Sequence, residues 1–511
     1  MKKQQFELSS IEKIQLSDFI IIGSGLAAVV FAQEVLNKGY TVSILEKGKN
    51  DCHKEDLYIT GKKFGIEQTR CVGIGGTSNL WANVISPLDE EDFEHWPLDC
   101  SEFKKHYIKA NKYLNVEFEP FLKFTKQVGD ITVIDNIVNT YLKAKVFFQS
   151  PKPTRSREML EVLSDSASLY YGVELEELVL CKKINQITEI VVSVGENLYK
   201  IDVKGKNIIV AAGALASPGI FLNSSNLMDR LEQLGSAEQV GRNLMDHPMG
   251  NLGQLYLNQA IDIEYFNRVS LSNGTKIKFG MIQNNGNFLN HNFYHIPSFK
   301  KGYSDRSEKV KRSILSLFNR KIRFSDVFNI ITSPRVAFQV VSYFVGSFKK
   351  YDLYDLWFVC EQLPQAHNRV YLSSIKKASG YKKTSVFWSL TKSELEEIKE
   401  YLEYLSKVHP LAKNNTGEII NKPSVELIES RLTSASHHAG TLRMAEKYSQ
   451  GVVDTSLQVN GVEKLYVLDA SVIPRYGNAN PNYTIVALSC YLSSHFDDKI
   501  NPYRDNLSEN K

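Results

Sequence analysis

The stretch "DFIIIGSG" is a short apolar run that ends on glycines, and the segment after it, "LAAVVFAQEVLNKG", carries apolar positions at helical spacing. "YTVSILEKG" then returns to a strand-like run. Strand, helix and strand in that order form a β-α-β unit, which implies a parallel sheet. Two pieces of the same character lie far downstream. One is "GKNIIVAAGALASPGIFLNSS" near the middle; the other is "LYVLDASVIP" near the end, followed by the helix-like "NYTIVALSCYLSSHF". Three such pieces, widely separated, predict one nucleotide-binding domain assembled from distant segments. The expected fold class is α/β (α+β overall). A Rossmann-like domain is expected over residues 15–100, 170–255 and 430–500. A second, substrate-binding domain, an antiparallel sheet with helices, is expected over 101–169 and 256–429. Residues 1–14 and 501–511 read as terminal tails.

Length and composition agree with this picture. A chain of 511 residues exceeds one simple core, and its 43% hydrophobic and 23% charged content is that of a globular protein. A net charge of +4 makes no case for nucleic acid. The six cysteines, Cys52, Cys71, Cys100, Cys181, Cys360 and Cys490, are scattered without a C-x-x-C pair. They read as reduced thiols of a cytoplasmic protein, with no metal site expected. The amino terminus lacks a signal-like apolar core, and no apolar run is long enough to span a bilayer. From Lys300 to Lys350, twelve Lys/Arg stand against three Asp/Glu, interleaved with aromatic and aliphatic residues. We read this segment as amphipathic helices with a solvated basic face; a surface for an anionic membrane or an acidic electron-accepting partner is the lesser reading.

The glycines supply the first chemistry. Gly23, Gly25 and Ala28, with Ser24 between the glycines, have the G-x-G-x-x-A spacing directly after a strand and at the start of a helix. Such a turn lets a pyrophosphate reach the free N–H groups of the helix N-terminus. Glu46 ends the next strand, where an acid bonds the adenosine ribose and disfavours a 2′-phosphate, which counts against NADP. "CVGIGGTSNLWANV" forms a second bare loop suited to close approach of a flat cofactor.

Five blocks together resemble the glucose–methanol–choline oxidoreductases, FAD-dependent enzymes that oxidise alcohols. They are "GSGLAA…LEKG", "GIGGTSNLWANV", "AAGALASPGIFLNSS", "VGRNLMDHP" and the long block from "HHAGTLRM" to "NPNYTIVALS". The likeness runs from Gly23 to Ser489 in the family's order. It implies that Gly23, Gly25 and Glu46 hold the ADP half of FAD, and that Gly76, Thr77, Asn79, Ala82 and Asn83 lie along the pyrophosphate and flavin. It also implies an adenine contact at Cys181, contacts from Asp469 and Ala470 to the pyrophosphate and ribityl chain, and Thr484 at the flavin end. Some relatives attach flavin covalently through a His of the glycine loop. That position is Leu80 here, so non-covalent FAD is expected.

Alcohol oxidation needs a base for the hydroxyl proton and a donor to hold the oxygen as charge develops. The adjacent pair His437-His438 leaves the base open from the nonapeptide "SHHAGTLRM" alone. By the resemblance, the His three residues before Gly440, His437, is the base and Asn480 its partner. Adjacent side chains on an extended backbone point to opposite faces, so His438 is expected to turn away. Asn478 and Asn482 are near-misses for Asn480, and His247 of "MDHP" is left outside the site as structural. Gln362 has two readings, a pocket-facing side chain or a plain sheet position. The expected substrate is a small alcohol, as in a sugar, amino sugar or polyol, with oxygen or an external carrier as electron acceptor. A sterol or other small-alcohol oxidase, a lyase of the family and a non-catalytic flavin-binding protein are the alternatives.

Overall fold

The computed structural model describes residues 1–53, 58–61, 70–116, 142–150, 152–261, 276–283, 291–297, parts of 309–341, 351–409, 417–420 and 423–499. The tail 501–511 and much of the basic segment lie outside the described residues.

Six parallel strands form one sheet in the order Lys2–Gln5, Ala167–Tyr171, Val42–Glu46, Phe19–Ile22, Asn207–Val210, Leu465–Val467. Every residue of Phe19–Ile22 is buried, as expected for a strand covered on both faces, where a continuous apolar run replaces alternation. The Leu26–Asn37 helix packs against the helix Pro481–Ser493, and both are apolar nearly all round. A helix of that character is stable only inside a core. The three distant αβ pieces thus meet in one sheet. Lys2–Gln5 also joins it, so residues 1–14 include an edge strand rather than a free tail.

Around this sheet lie three others. Glu174–Cys181, Gln186–Val194 and Asn197–Asp202 form an antiparallel meander. A larger antiparallel sheet is centred on the long strand Pro248–Ile261, paired with Tyr351–Cys360. Lys392–Val408 packs over it, contributing Leu395, Ile398, Tyr401, Leu402 and Leu405 to a second core. Arg369–Lys376, Lys382–Trp388 and Tyr58–Gly61 make the last sheet.

Two expectations change here. Cys52 and Cys71 are joined in a disulfide, with Cα atoms 5.2 Å apart, so the set is not six free thiols. The pairing is invisible to a C-x-x-C search because the two cysteines are 19 residues apart. It also removes the support that scattered thiols lent to a cytoplasmic location. Among the described residues no helix is long and apolar enough to cross a membrane.

Candidate active site

The C-terminal ends of the parallel strands open on a cavity of about 1790 Å³. That exceeds the usual pocket for a single small ligand, roughly 300–1,000 Å³, and gives room for a dinucleotide and a substrate. Its floor is the turn after Phe19–Ile22. Gly23 has φ +101°, and a Cβ there would lie 2.5 Å from the Ala211 carbonyl oxygen, so glycine is required. A Cβ on Gly25 would meet only open space, which leaves the N-terminus of the Leu26–Asn37 helix uncovered towards the cavity. This cradle fits a pyrophosphate.

Glu46 closes the turn. Its carboxylate accepts from the Ser24 N–H at 3.0 Å, the Ser24 hydroxyl at 2.6 Å and the Gly48 N–H at 2.6 Å. Burial pushes its pKa up against those bonds. The second glycine loop is fastened to the first: the Gly75 N–H donates to Ser24 Oγ at 2.9 Å. Gly48 packs so closely on Gly73 that a Cβ would fall 2.2 Å from the Gly73 nitrogen. Arg155 caps the loop from behind, donating to the Ser78 and Trp81 carbonyls at 2.6 and 2.8 Å. Asp469 joins two segments by accepting from the Gly213 N–H at 2.8 Å and the Ser217 hydroxyl at 2.6 Å.

The expected cofactor residues divide into two groups. Gly23, Ser24, Gly25, Glu46, Gly76, Thr77, Ala82, Asp469 and Ala470 line the cavity. Ala28, Asn79, Asn83, Cys181 and Thr484 are not among its lining residues. Ala28 is buried in the helix interior. Asn79 donates to the Ile74 carbonyl at 3.0 Å, and Asn83 accepts from the Thr154 N–H at 3.3 Å. Thr484 shares a 2.6 Å hydrogen bond with the Tyr107 hydroxyl. Cys181 sits at the far end of its strand, which meets the cavity at Glu174–Glu176, roughly 20 Å away along the chain. Val173, just before that strand, also lines the cavity. Gln362 is neither a cavity-lining residue nor a sheet position: it is buried in the loop after Tyr351–Cys360, accepting from Trp388 Nε1 at 2.6 Å.

At the other end of the cavity the histidines meet. Met245 and Ala439 form an antiparallel bridge, exchanging N–H donors at 3.0 Å each. Two residues further along each strand, that register sets His247 opposite His437. Their Nδ1 atoms are 2.8 Å apart. His247 Nε2 lies 2.7 Å from the Gly477 carbonyl oxygen, which can only accept, so Nε2 carries the hydrogen. Burial holds the His247 pKa at about 4, so the ring is neutral and its Nδ1 is an acceptor. His437 must then donate from Nδ1. Burial, and then His247, hold its own pKa well below the usual value, leaving Nε2 with a free lone pair. Asn480 Nδ2 lies 3.5 Å from that nitrogen, at the long end of hydrogen bonding. His437 and Asn480 both line the cavity.

Asp246 holds this pair of strands in place. One of its oxygens accepts from the His247 N–H at 2.7 Å and the His437 N–H at 2.9 Å; the other accepts from the Ser434 hydroxyl. Burial raises its pKa to about 6. His438 does not turn out of the site as expected, since it also lines the cavity. Its Nε2 is 3.3 Å from Asp246 Oδ2. Burial, then Arg70 and His437, hold its pKa well down, so the contact is between a neutral ring and a carboxylate rather than an ion pair. Asn478 lines the cavity too, buried, with neither amide atom partnered among the described residues. An orphaned buried amide at this wall fits a hydrogen-bonding ligand such as a flavin ring. Asp246, His247 and Asn478 are the site residues that sequence reasoning missed. "MDHP" was the available signal, but nothing local shows that it pairs with a strand 190 residues away.

Matches to known families decide the class. Two signatures described as GMC oxidoreductase match residues 17–249 and 364–489, together well over half of the chain. The chain belongs to the GMC oxidoreductase family. As such it is an FAD-dependent oxidoreductase with the mixed α/β fold of that family. No curated protein matches the sequence. Solved structures share the fold. A variant of formate oxidase from Aspergillus oryzae RIB40 is 15% identical over 94% of this chain and 97% of its own, with a TM-score of 0.58. Pyridoxine 4-oxidase from Mesorbium loti is 14% identical, covering 95% and 100%, with a TM-score of 0.57. A fungal aryl-alcohol oxidase is 14% identical, covering 94% and 98%, also at 0.57.

The buried histidines of this family member predict a pH response. The unfolded chain takes up protons near the ordinary His pKa, roughly 6.5, whereas folded His247 and His106 resist until about 4 and His291 until about 3. Between those limits the unfolded state binds more protons, so their stabilisation is present above about 6.5 and is lost as pH falls towards 4. Asp246, raised to about 6, acts in the opposite sense, but it is one group against several. We predict a lower thermal midpoint at pH 5 than at pH 7.5, read by differential scanning fluorimetry; an equal or higher midpoint at pH 5 contradicts this.

Proposed function

We propose that this GMC oxidoreductase oxidises a CH–OH group of a small alcohol, of the sugar, amino sugar or polyol class, with His437 as the base and Asn480 as its partner. The observation that carries the proposal is the unprotonated Nε2 of His437 facing the cavity beside the Asn480 amide. A hydroxyl placed between them gives its proton to Nε2, while Asn480 Nδ2 donates to the same oxygen as negative charge develops. The His437 ring becomes cationic in that step, and the His247 Nδ1 lone pair, already accepting from it, stabilises the charge. Bound FAD supplies the acceptor for the hydride leaving the same carbon.

Gly23, Ser24, Gly25, Glu46, Gly76, Thr77, Ala82, Asp469 and Ala470 are the residues we assign to holding FAD. The adenine contact moves from Cys181 to the chain at Val173, which lines the cavity. Leu80 also lines it, and its aliphatic side chain has no atom to bond flavin covalently, which supports dissociable FAD. At the histidine end, His437, His438, Asn478, Asn480 and Asn482 line the cavity, polar side chains suited to a hydroxylated substrate. The related folds act, by their names, on formate, pyridoxine and aryl alcohols, so these belong in the same test.

The purified yellow protein should release its flavin into the supernatant on acid precipitation. Mixed without oxygen, it should be bleached by members of a panel of sugars, amino sugars and polyols, and less by pyridoxine or benzyl alcohol. Re-oxidation by oxygen or by a dye then distinguishes oxidase from dehydrogenase. Flavin retained by the precipitate overturns the non-covalent assignment, and bleaching by the aromatic alcohols alone overturns the substrate class.

A further inference from the structure

The helix Phe324–Ile331 is amphipathic, but its polarity is inverted. Phe324, Val327, Phe328 and Ile331 follow the i, i+3, i+4, i+7 spacing of one helix face, and that face is exposed. Phe324 is 89% exposed, Ile331 70% and Phe328 60%; nearby Phe338 is 67% exposed. Ser325 is exposed, but the other two polar residues, Asp326 and Asn329, point inward. Asp326 accepts from the Ser313 and Ser316 hydroxyls at 3.0 and 3.1 Å, and Asn329 donates to Ser313 Oγ at 3.2 Å. Ile330 packs on a small cluster of Val310, Ile314 and Ala337, separate from the two large cores.

Single exposed apolar residues are ordinary, but four on one helix face, held outward by polar bonds on the other, are not. Removing large apolar side chains from water is favourable, so this face stands in water only at a cost that a partner would relieve. The sequence around it indicates the partner. Arg320, Lys321 and Arg323 directly precede the helix, and the stretch from Lys300 to Lys350 holds twelve Lys/Arg against three Asp/Glu. Apolar residues on one face within a strongly basic segment match a surface that is anionic outside and hydrocarbon beneath. The helix lies between the two family-matched regions, so the shared oxidoreductase framework does not account for it. At eight residues, about 12 Å, it is far too short to cross a bilayer and fits insertion into one interface.

We infer that Phe324–Ile331 is a membrane-docking element that seats the enzyme on an anionic lipid bilayer, with Phe324, Phe328 and Ile331 in the acyl boundary. The inference is independent of which alcohol the site oxidises.

The test is sedimentation of the flavin-loaded full chain with vesicles of phosphatidylcholine alone and of equal parts phosphatidylcholine and phosphatidylglycerol. Binding is expected to the mixed vesicles, weakening as salt rises. Phe324→Ser with Phe328→Ser should lower the bound-to-free ratio about tenfold or more, with flavin content and thermal midpoint unchanged because both side chains are exposed. Mixed-vesicle binding that the double variant retains overturns the proposal. So does absence of vesicle binding, whether the protein is monomeric or forms a dimer that the double variant abolishes; the latter result would assign the face to a second copy of the chain.

Discussion

His437→Ala is expected to slow anaerobic flavin bleaching by substrate about 10²–10⁴-fold, the range for loss of a positioned general base. Flavin content should not change, because His437 is bonded to His247 and Asn480 rather than to the glycine turns. Its backbone N–H to Asp246 survives the substitution, so the strand pairing stays intact. His438→Ala is the control. It lines the same cavity, but its close contact is with Asp246 rather than with Asn480, so its effect on the bleaching rate should be at least an order of magnitude smaller. If the two variants bleach equally slowly, the assignment of the base to His437 alone fails. If His437→Ala bleaches at the parent rate, the whole proton-transfer scheme is wrong.

Asp246→Ala should lower stability strongly, because the fully buried carboxylate is a shared acceptor. It strips the acceptor from two buried backbone N–H groups, of His247 and His437, and from the Ser434 hydroxyl. The Ser434 hydroxyl can rotate to another acceptor, but each of the two fixed backbone donors left unsatisfied costs about 1–3 kcal/mol, so a loss of about 2–6 kcal/mol in unfolding free energy is expected. Both backbone donors reach the same oxygen, Oδ1, which an asparagine retains. Asp246→Asn should therefore recover most of the stability, and its second terminal atom, now a donor, can face Ser434 Oγ. Urea unfolding of the three proteins measures this. Equal destabilisation by Ala and Asn would show that the negative charge, and not the acceptor geometry, is what matters at this position.

The frame of the molecule was legible because it depends on local regularities. The apolar run Phe19–Ile22, the glycine turn, the helix Leu26–Asn37 and the strand Val42–Glu46 each announce themselves within a few residues. So does the apolar helix Pro481–Ser493 behind Asn480. The residues misjudged are those whose role depends on a partner distant in sequence. Thr484 reads as a flavin contact by its place in the block, yet its hydroxyl is turned to Tyr107 on another helix. Cys181 lies on a suitable strand but at the end away from the cavity. Asn79 is spent holding its own loop together, and Asn83 ties that loop to Thr154, far along the chain.

By itself, the sequence determined the parallel-sheet framework, the phosphate-binding turn with Glu46, the family, and the short list from which a base could be chosen. These follow from spacing along the chain: period, turn chemistry and the order of the blocks. Only the tertiary structure decided the state of that base. An imidazole's free nitrogen is set by whatever its other nitrogen bonds, and for His437 that partner is His247, brought opposite it by the Met245–Ala439 bridge and fixed in turn by the Gly477 carbonyl. Likewise, the sequence reads as amphipathic helices across the basic segment, but the direction in which Phe324–Ile331 turns its apolar face depends on the bonds Asp326 and Asn329 make to a neighbouring segment. Tautomer and facing are properties of contacts between distant residues, and no pattern within a single stretch of chain contains them.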